Sequence, residues 1–545
     1  MLRKKKIGRN DRCLCGSGKK YKYCCLDNNT DAARWSVHRL EDIRENLPIE
    51  IKRAEAAELR RQSVQGLGNP IISTELEGGR MVTVGSEIFV VSKDIQTFHQ
   101  FLFVYIHRVM GEEWFEIELN KTEDLHPLIT LYKKVLAFLD KSEQAENPRI
   151  MTGAVSAYLA LAYNLYTLQH NVEITKRLVQ RLRNSSDFKG AFYETFVDAL
   201  FVKSGFEIEL EDESGRSGTT SCEFVATFKE TGRKFSVEAK VRDPYKETNN
   251  ISNQLYKAFQ KQAKHERIVF IELNTDGTPE QIKENLLEAR TSIRNRESSL
   301  TINGESAPPA YVFITNYSYF YHFEDSDFGI AAIPEGFKID DFKEDFVYQN
   351  AQQYVELKQK NKELLKINWG IEKYFIEIPA TYDGELPEFV FLQDRPRLLI
   401  GNIYLIPDAD GELISGILES ATVSVESREA WGVYLTPDGR RLIQISPLSD
   451  SELLAYAAHP ETFFGIKQYI GQKATTHIEL FDFMYSVYKD TPREKLLDWL
   501  KEAPDFEQLQ TKATEELAVI LCERAAGSKS INPSSKPHKK LDSQA

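Results

Sequence analysis

The sequence predicts a multidomain chain of mixed α/β (α+β) class, and three observations carry that prediction. Its 545 residues exceed what one hydrophobic core serves, and a composition of 41% hydrophobic and 11% aromatic residues supplies several cores. Between residues 187 and 320 the elements follow in the order helix, three short strands, helix, strand, helix, strand. Four of the six cysteines crowd into residues 13–25, a stretch too short to own a core. The expected layout is a metal-binding hook over 1–28, an N-terminal α+β region over 29–150, a central αβββαβ core within 151–325, a C-terminal α+β region over 326–525 and a disordered polar tail over 526–545.

The hook comes first. In "GRNDRCLCGSGKKYKYCC" (8–25) the spacing is Cys13-x-Cys15-x8-Cys24-Cys25. Tetrahedral Zn²⁺ takes four such thiolates, and Gly16-Ser17-Gly18 permits the reversal that brings the two pairs together. Zinc would then supply the folding energy, about 10–16 kcal/mol for sites of this kind. The competing reading is a reduced, disordered basic tail. Residues 1–25 hold nine Lys/Arg and one Asp, so of the net −13 the remainder of the chain carries −21. The N-terminus is a basic arm on an acidic body, a balance that argues against a protein coated uniformly in nucleic acid.

This stretch resembles the SEC-C motif, the zinc hook also found at the end of the SecA translocase ATPase. Gly8 to Asp11, the four cysteines and Gly16 to Lys22 follow that pattern, while Arg12 and Leu14 stand where it has prolines. The resemblance implies zinc on Cys13, Cys15, Cys24 and Cys25 and a docking role toward a protein or the ribosome. It covers about a twentieth of the chain.

Residues 30–64 read as a charged amphipathic helix interrupted near Pro48, and "GLGNP" (66–70) as a turn that lacks the Lys-Ser/Thr of a phosphate loop. Short strands follow to about 91, then helices over 94–110, 124–141 and 151–168. The last is apolar but too short to span a bilayer. The basic N-terminus has no apolar signal core, and outside the hook only Cys222 and Cys522 remain, so a cytoplasmic setting without disulfides or membrane is expected. Further on, a helix near 345–365 precedes a strand meander over 385–447 with turns at "DADGE" (408–412) and "PDGRR" (437–441), and helices run to about 524.

The chemistry is expected in the central stretch. In "KFSVEAKVR" (234–242) Phe235, Val237, Ala239 and Val241 alternate with Ser236, Glu238, Lys240 and Arg242. In "SCEFVATF" (221–228) Glu223 lies on the polar side, so a hairpin can set it beside Glu238 and Lys240. Two carboxylates and a lysine on one sheet face are costly to bury unless a cation and an anion complete them. Glu223 and Glu238 would hold Mg²⁺ or Mn²⁺, and Lys240 would orient water or stabilise a phosphoryl group. The competing reading is a solvated Glu–Lys pair. The tripeptide alone says nothing: Glu50-Ile-Lys52, Asp187-Phe-Lys189, Asp341-Phe-Lys343 and Glu356-Leu-Lys358 fit it equally.

This order, with Glu-x-Lys on the third strand, resembles the PD-(D/E)xK restriction-endonuclease-like fold. The resemblance implies Glu223 at the first acidic position, Glu238 and Lys240 as the E-x-K, Glu194 as the acid of the first helix, and Gln254 and Lys257 directed at the site from the next helix. Cys222-Glu223 replaces the family's Pro-Asp. The implied activity is metal-dependent hydrolysis of DNA or RNA, with bacterial defence as the implied setting. The alternative is a zinc-dependent adaptor whose nuclease-like domain only binds.

Overall fold

The computed structural model describes residues 20, 49–143, 150–211, 221–242, 251–317, 319, 322–325, 330–374, 377–384, 397–408, 410–468 and 474–527. The hook cysteines Cys13, Cys15, Cys24 and Cys25, the 30–48 part of the expected amphipathic helix and the tail lie outside the described residues. The chain is a mixed α/β protein with several sheets, divided into two compact units: 61–387 with 471–545, and 1–60 with 388–470. A helix, α1, covers 49–65. Among the described residues no helix is long and apolar enough to cross a membrane.

The larger unit opens with an antiparallel sheet of β1 (Ile72–Leu76), β2 (Gly79–Val84) and β3 (Glu87–Ser92). Helices α2 (Phe98–Met110), α3 (Glu112–Leu119), α4 (Pro127–Glu143), α5 (Gly153–Thr167), α6 (Val172–Leu182) and α7 (Phe188–Lys203) follow. A capping box at Thr97 and Gln100 starts α2, and the chain turns at Gly111, whose φ is +84°. Helix α5 is buried along nearly its whole length, as its apolar sequence requires.

A six-stranded sheet comes next. It contains β4 (Phe206–Leu210), β5 (Phe224–Phe228), β6 (Lys234–Val241) and β7 (Glu266–Glu272), with α8 (Ile251–Phe259) between β6 and β7. Helix α9 (Pro279–Arg294), a small β8–β9 hairpin (Thr301–Ile302, Glu305–Ser306), β10 (Ala310–Tyr317) and β11 (Ile330–Phe337) complete it. The sheet order is β11-β10-β7-β6-β5-β4, parallel between β6, β7 and β10 and antiparallel elsewhere.

Alternation assigns the two faces. Phe224, Ala226, Phe235, Val237, Ile268, Phe270 and Phe313 join α5 and α7 in one core. Val269, Ile271, Val312 and Ile314 join α8 and α9 in a second. Helices α10 (Ala351–Lys360) and α11 (Lys362–Tyr374) and the helices from His477 to Ala526 finish this unit. Cys522 is buried among them.

In the smaller unit β12 (Ile403–Pro407), β13 (Leu413–Ser424), β14 (Glu429–Leu435) and β15 (Arg441–Pro447) form an antiparallel meander. Its first turn is closed by the Asp408 N–H donating to the Glu412 carbonyl at 2.9 Å.

Several expected bounds change, each for a local reason. Helix α8 ends at Phe259 rather than running to His265, because the backbone beyond is claimed elsewhere. Arg267 donates to the carbonyls of Ala258 and Lys261, both at 2.9 Å, the Cys222 N–H donates to the Gln262 carbonyl at 3.1 Å, and the Lys264 N–H donates to Glu211 Oε1 at 3.0 Å. Strand β5 starts at Phe224, leaving Glu223 just before it. Helices α3 and α6 are additions.

Lys203, the last residue of α7, is buried, with Nζ donating to Asn164 Oδ1 at 2.8 Å and lying 4.3 Å from the Tyr163 ring centre. Burial lowers its pKa to about 7. The unfolded chain holds this proton up to about pH 10.4, so between these values unfolding takes up a proton and stability rises with pH. Lys203→Met should lack that rise. Denaturation from pH 7 to 10 is expected to show wild type gaining on the variant by up to about 1.4 kcal/mol per pH unit. Parallel curves would refute the assignment.

Candidate active site

Strands β5 and β6 set the site. Their register pairs Phe224 with Val237, and the Glu223 N–H, just before β5, donates to the same Val237 carbonyl at 3.0 Å, which holds Glu223 close enough to Glu238 for its charge to act on that carboxyl. Beyond this point the chain leaves β6, and Ser221 bridges to Gln262 instead. Glu238 and Lys240 are paired with Val269 and Ile271 of β7, so both belong to the face under α8.

Glu238 is completely buried, its Oε1 taken by the Lys240 ammonium. Its Oε2 is buried and has no hydrogen bond among the described residues. Burial pushes the Glu238 carboxyl up to about 7; Lys240 opposes the rise, and the Glu223 charge adds to it.

Glu194 lies on the α7 side, also buried. Arg177 donates to its Oε1 at 2.6 Å and reaches Glu223 Oε2 at 3.3 Å, while Arg181 holds its other oxygen. Burial raises the Glu194 pKa and Glu223 adds to the rise, against the pull of Arg181 and Arg177. One turn along α7, Asp198 is wholly buried, and neither of its oxygens has a hydrogen bond among the described residues. Burial first, then the Glu194 charge, raises its pKa well above the usual carboxylate range.

Glu194 and Glu223 thus meet through Arg177, and Glu223 meets Glu238 across the strands. Gln254 is buried on α8, and Lys257, one turn on, is exposed. The later Lys261 is a cation that acts on Glu238. Among the described residues no three His, Cys, Asp or Glu side chains stand close enough together to hold a metal ion. As arranged, Arg177, Arg181 and Lys240 take up carboxylate oxygens instead. The charge of Glu238 is met by Lys240, but its buried Oε2 has no hydrogen bond among the described residues and offers a lone pair that fits a cation.

Cys222, beside Glu223, is buried with the Arg267 guanidinium 3.6 Å from its sulfur, and burial pushes its thiol up to about 12. It is a packing residue rather than a nucleophile.

Arg177, Arg181 and Asp198 were not among the residues expected at the site. The signal for the arginines lies in "VEITKRLVQRL", where Ile174, Leu178, Val179 and Leu182 repeat at helical spacing and leave Arg177 and Arg181 one turn apart. Asp198 follows Glu194 by four residues on a helix already recognised.

The sequence profile of the SEC-C motif matches residues 9–27. That motif binds zinc in general. No curated protein matches this chain, and no solved structure does.

Removing Arg181 leaves a buried carboxylate with one partner fewer. Because the arginine side is partly open to water, Arg181→Ala should cost about 2–3 kcal/mol, below the range for a fully enclosed pair. Adding Glu194→Gln should recover most of it. A double variant no more stable than Arg181→Ala in urea titrations would show that the pairing is not what Arg181 provides.

Proposed function

We propose that the chain is a metal-dependent nuclease whose centre is Glu223, Glu238 and Lys240, with an N-terminal zinc hook for docking. The observation that supports this reading is the Glu223 N–H donating to the Val237 carbonyl, next to a buried Glu238 paired with Lys240. The surrounding order α7-β4-β5-β6-α8-β7, with β6 and β7 parallel, supports a restriction-endonuclease-like core around it. Glu223 and Glu238 would hold Mg²⁺ or Mn²⁺, which when bound supplies charge stabilisation and an activated water. Lys240, held beside Glu238, would place a positive charge where a phosphoryl oxygen develops negative charge. Arg181 and Arg177 hold Glu194 in place behind Glu223. DNA or RNA is the proposed substrate, approached locally because the body is acidic.

A second reading is favoured by one contact. Arg177 sits on Glu223, a proposed ligand, as it would in a domain that has given up catalysis and only binds. The chain would then be a zinc-dependent adaptor working through Cys13, Cys15, Cys24 and Cys25 toward a protein or the ribosome.

Cleavage of single- and double-stranded DNA and of RNA, with Mg²⁺, Mn²⁺ or chelator, separates the two. The nuclease reading expects cation-dependent cleavage that Glu238→Gln or Lys240→Met each lowers by about 100-fold or more. Equal rates for wild type and variants would remove the site. For the hook, metal analysis of reduced protein should find one zinc per chain, lost in Cys13→Ser with Cys24→Ser. Unchanged zinc in that variant would remove those ligands.

A further inference from the structure

The meander of the smaller unit has one face that the fold does not use. Ile406, Leu418, Ala430 and Tyr434 alternate to the buried side. The register puts Ile403, Leu405 and Pro407 of β12 on the opposite face, beside Ile417, Ser415 and Leu413 of β13. Leu435, Val433 and Trp431 of β14 continue it, and then Arg441, Ile443 and Ile445 of β15. Ile403, Leu405, Leu413, Ile417, Trp431, Ile443 and Ile445 are each 41–69% exposed.

This face is largely apolar, with its two halves joined at Ile417 and Leu435 and with Ser415, Ser420, Thr422 and Ser424 of β13 as its hydroxyl positions. Its charges sit at the two ends of β14: Glu429 at one, and at the other Arg441, which is paired to Glu419 at 2.7 Å. Scattered exposed leucines and isoleucines need no explanation, but a contiguous patch beyond a few hundred Å² marks a contact surface.

We propose that this face is a homodimer interface, in which two copies of the meander pack sheet against sheet. Two properties select a second copy. The first is area: the exposed parts of the seven side chains come to roughly 800 Å², the share each partner brings to a standard-size stable interface. The second is chemistry. A surface of isoleucine, leucine and tryptophan side chains and small hydroxyls, with Glu429 at one end and the Arg441–Glu419 pair at the other, offers nothing to steer a strongly charged partner. It matches its own copy, of the same composition, in sheet-on-sheet packing at about 10 Å in the manner of a β-sandwich. A two-fold arrangement also closes after two copies, so the surface is used up rather than propagated.

Sedimentation of the full-length chain from about 0.1 to 50 µM tests this, since a dimer of this kind must respond to concentration. The expected species has twice the 62.5 kDa of one chain. Leu405→Glu with Ile443→Glu places charge on both edge strands of the face without touching the buried side, and should weaken dimerisation at least 100-fold. Leu405→Ser with Ile443→Ser, which adds no charge, should weaken it less and covers the case in which the charged variant misfolds. Val487→Glu, an exposed apolar position of the other unit, should leave the dimer intact. A wild type that stays monomeric throughout overturns the proposal. So does a dimer that both face variants leave unchanged, because its interface would lie elsewhere.

Discussion

Two arginines on α6 answer the most expensive feature of this structure, the burial of carboxylates where α7 meets the start of β5. Taking an ionised carboxylate out of water costs several kcal/mol even after relaxation, and only close partners return that cost. Arg177 and Arg181 supply them to Glu194, and Arg177 extends to Glu223. Helix α6 itself is fixed by Ile174, Leu178 and Leu182 in the main core. The rest of the site follows from that anchorage. With Glu194 satisfied, α7 can lie against the sheet, and Asp198, four residues on, shows the other response of a buried acid, a pKa raised well above the usual carboxylate range by burial.

The strands were legible because their faces are unequal. In β6 the alternation of Phe235, Val237 and Ala239 with Ser236, Glu238 and Lys240 admits one orientation, and the observed pairing with Val225 and Phe224 keeps it. That reasoning also put Glu223 near Glu238 without any knowledge of the loop. What stayed hidden were elements whose signal is weak in isolation. The short helix α6 begins two residues after the turn that ends α5, and its basic face reads as solvated until the acids it meets are known. The end of α8 was hidden for a different reason. Nothing within 251–265 stops a helix, and the stop comes from Arg267, Cys222 and Glu211, distant partners that take its backbone groups. Tertiary claims on the backbone outrank local propensity there.

The meander of the smaller unit obeys the same alternation but resolves it differently. On its buried side a Cβ at Gly432 would come within 2.7 Å of the Tyr434 ring, and one at Gly416 within 3.0 Å of Tyr434 Cβ. The tyrosine lies over both strands because these positions are bare, and its ring meets Tyr404 edge-on at 5.9 Å between centres. The ring shares the inner face with Ile406 and Leu418, which close over the same glycines. Ile403, Leu405, Leu413, Ile417, Ile443 and Ile445 fall to the outer face. The sequence marked the meander and its turns, but not which of its faces points outward.

The candidate active site turns on which positive charge neutralises Glu223. The Arg181–Glu194 pair rests on a carboxylate almost wholly out of water, where partners are hard to exchange. Arg177 differs: it already has Glu194 at 2.6 Å, and its reach to Glu223 is the longer, at 3.3 Å, toward a carboxylate that retains solvent access. Contacts of this partly exposed kind contribute about 0–1 kcal/mol. A stronger cation at Glu223 and at the unpartnered Glu238 Oε2 would therefore displace little, and Arg177 would keep its hold on Glu194. The geometry thus divides two acids of one chemical type into a structural carboxylate, Glu194, and an available one, Glu223.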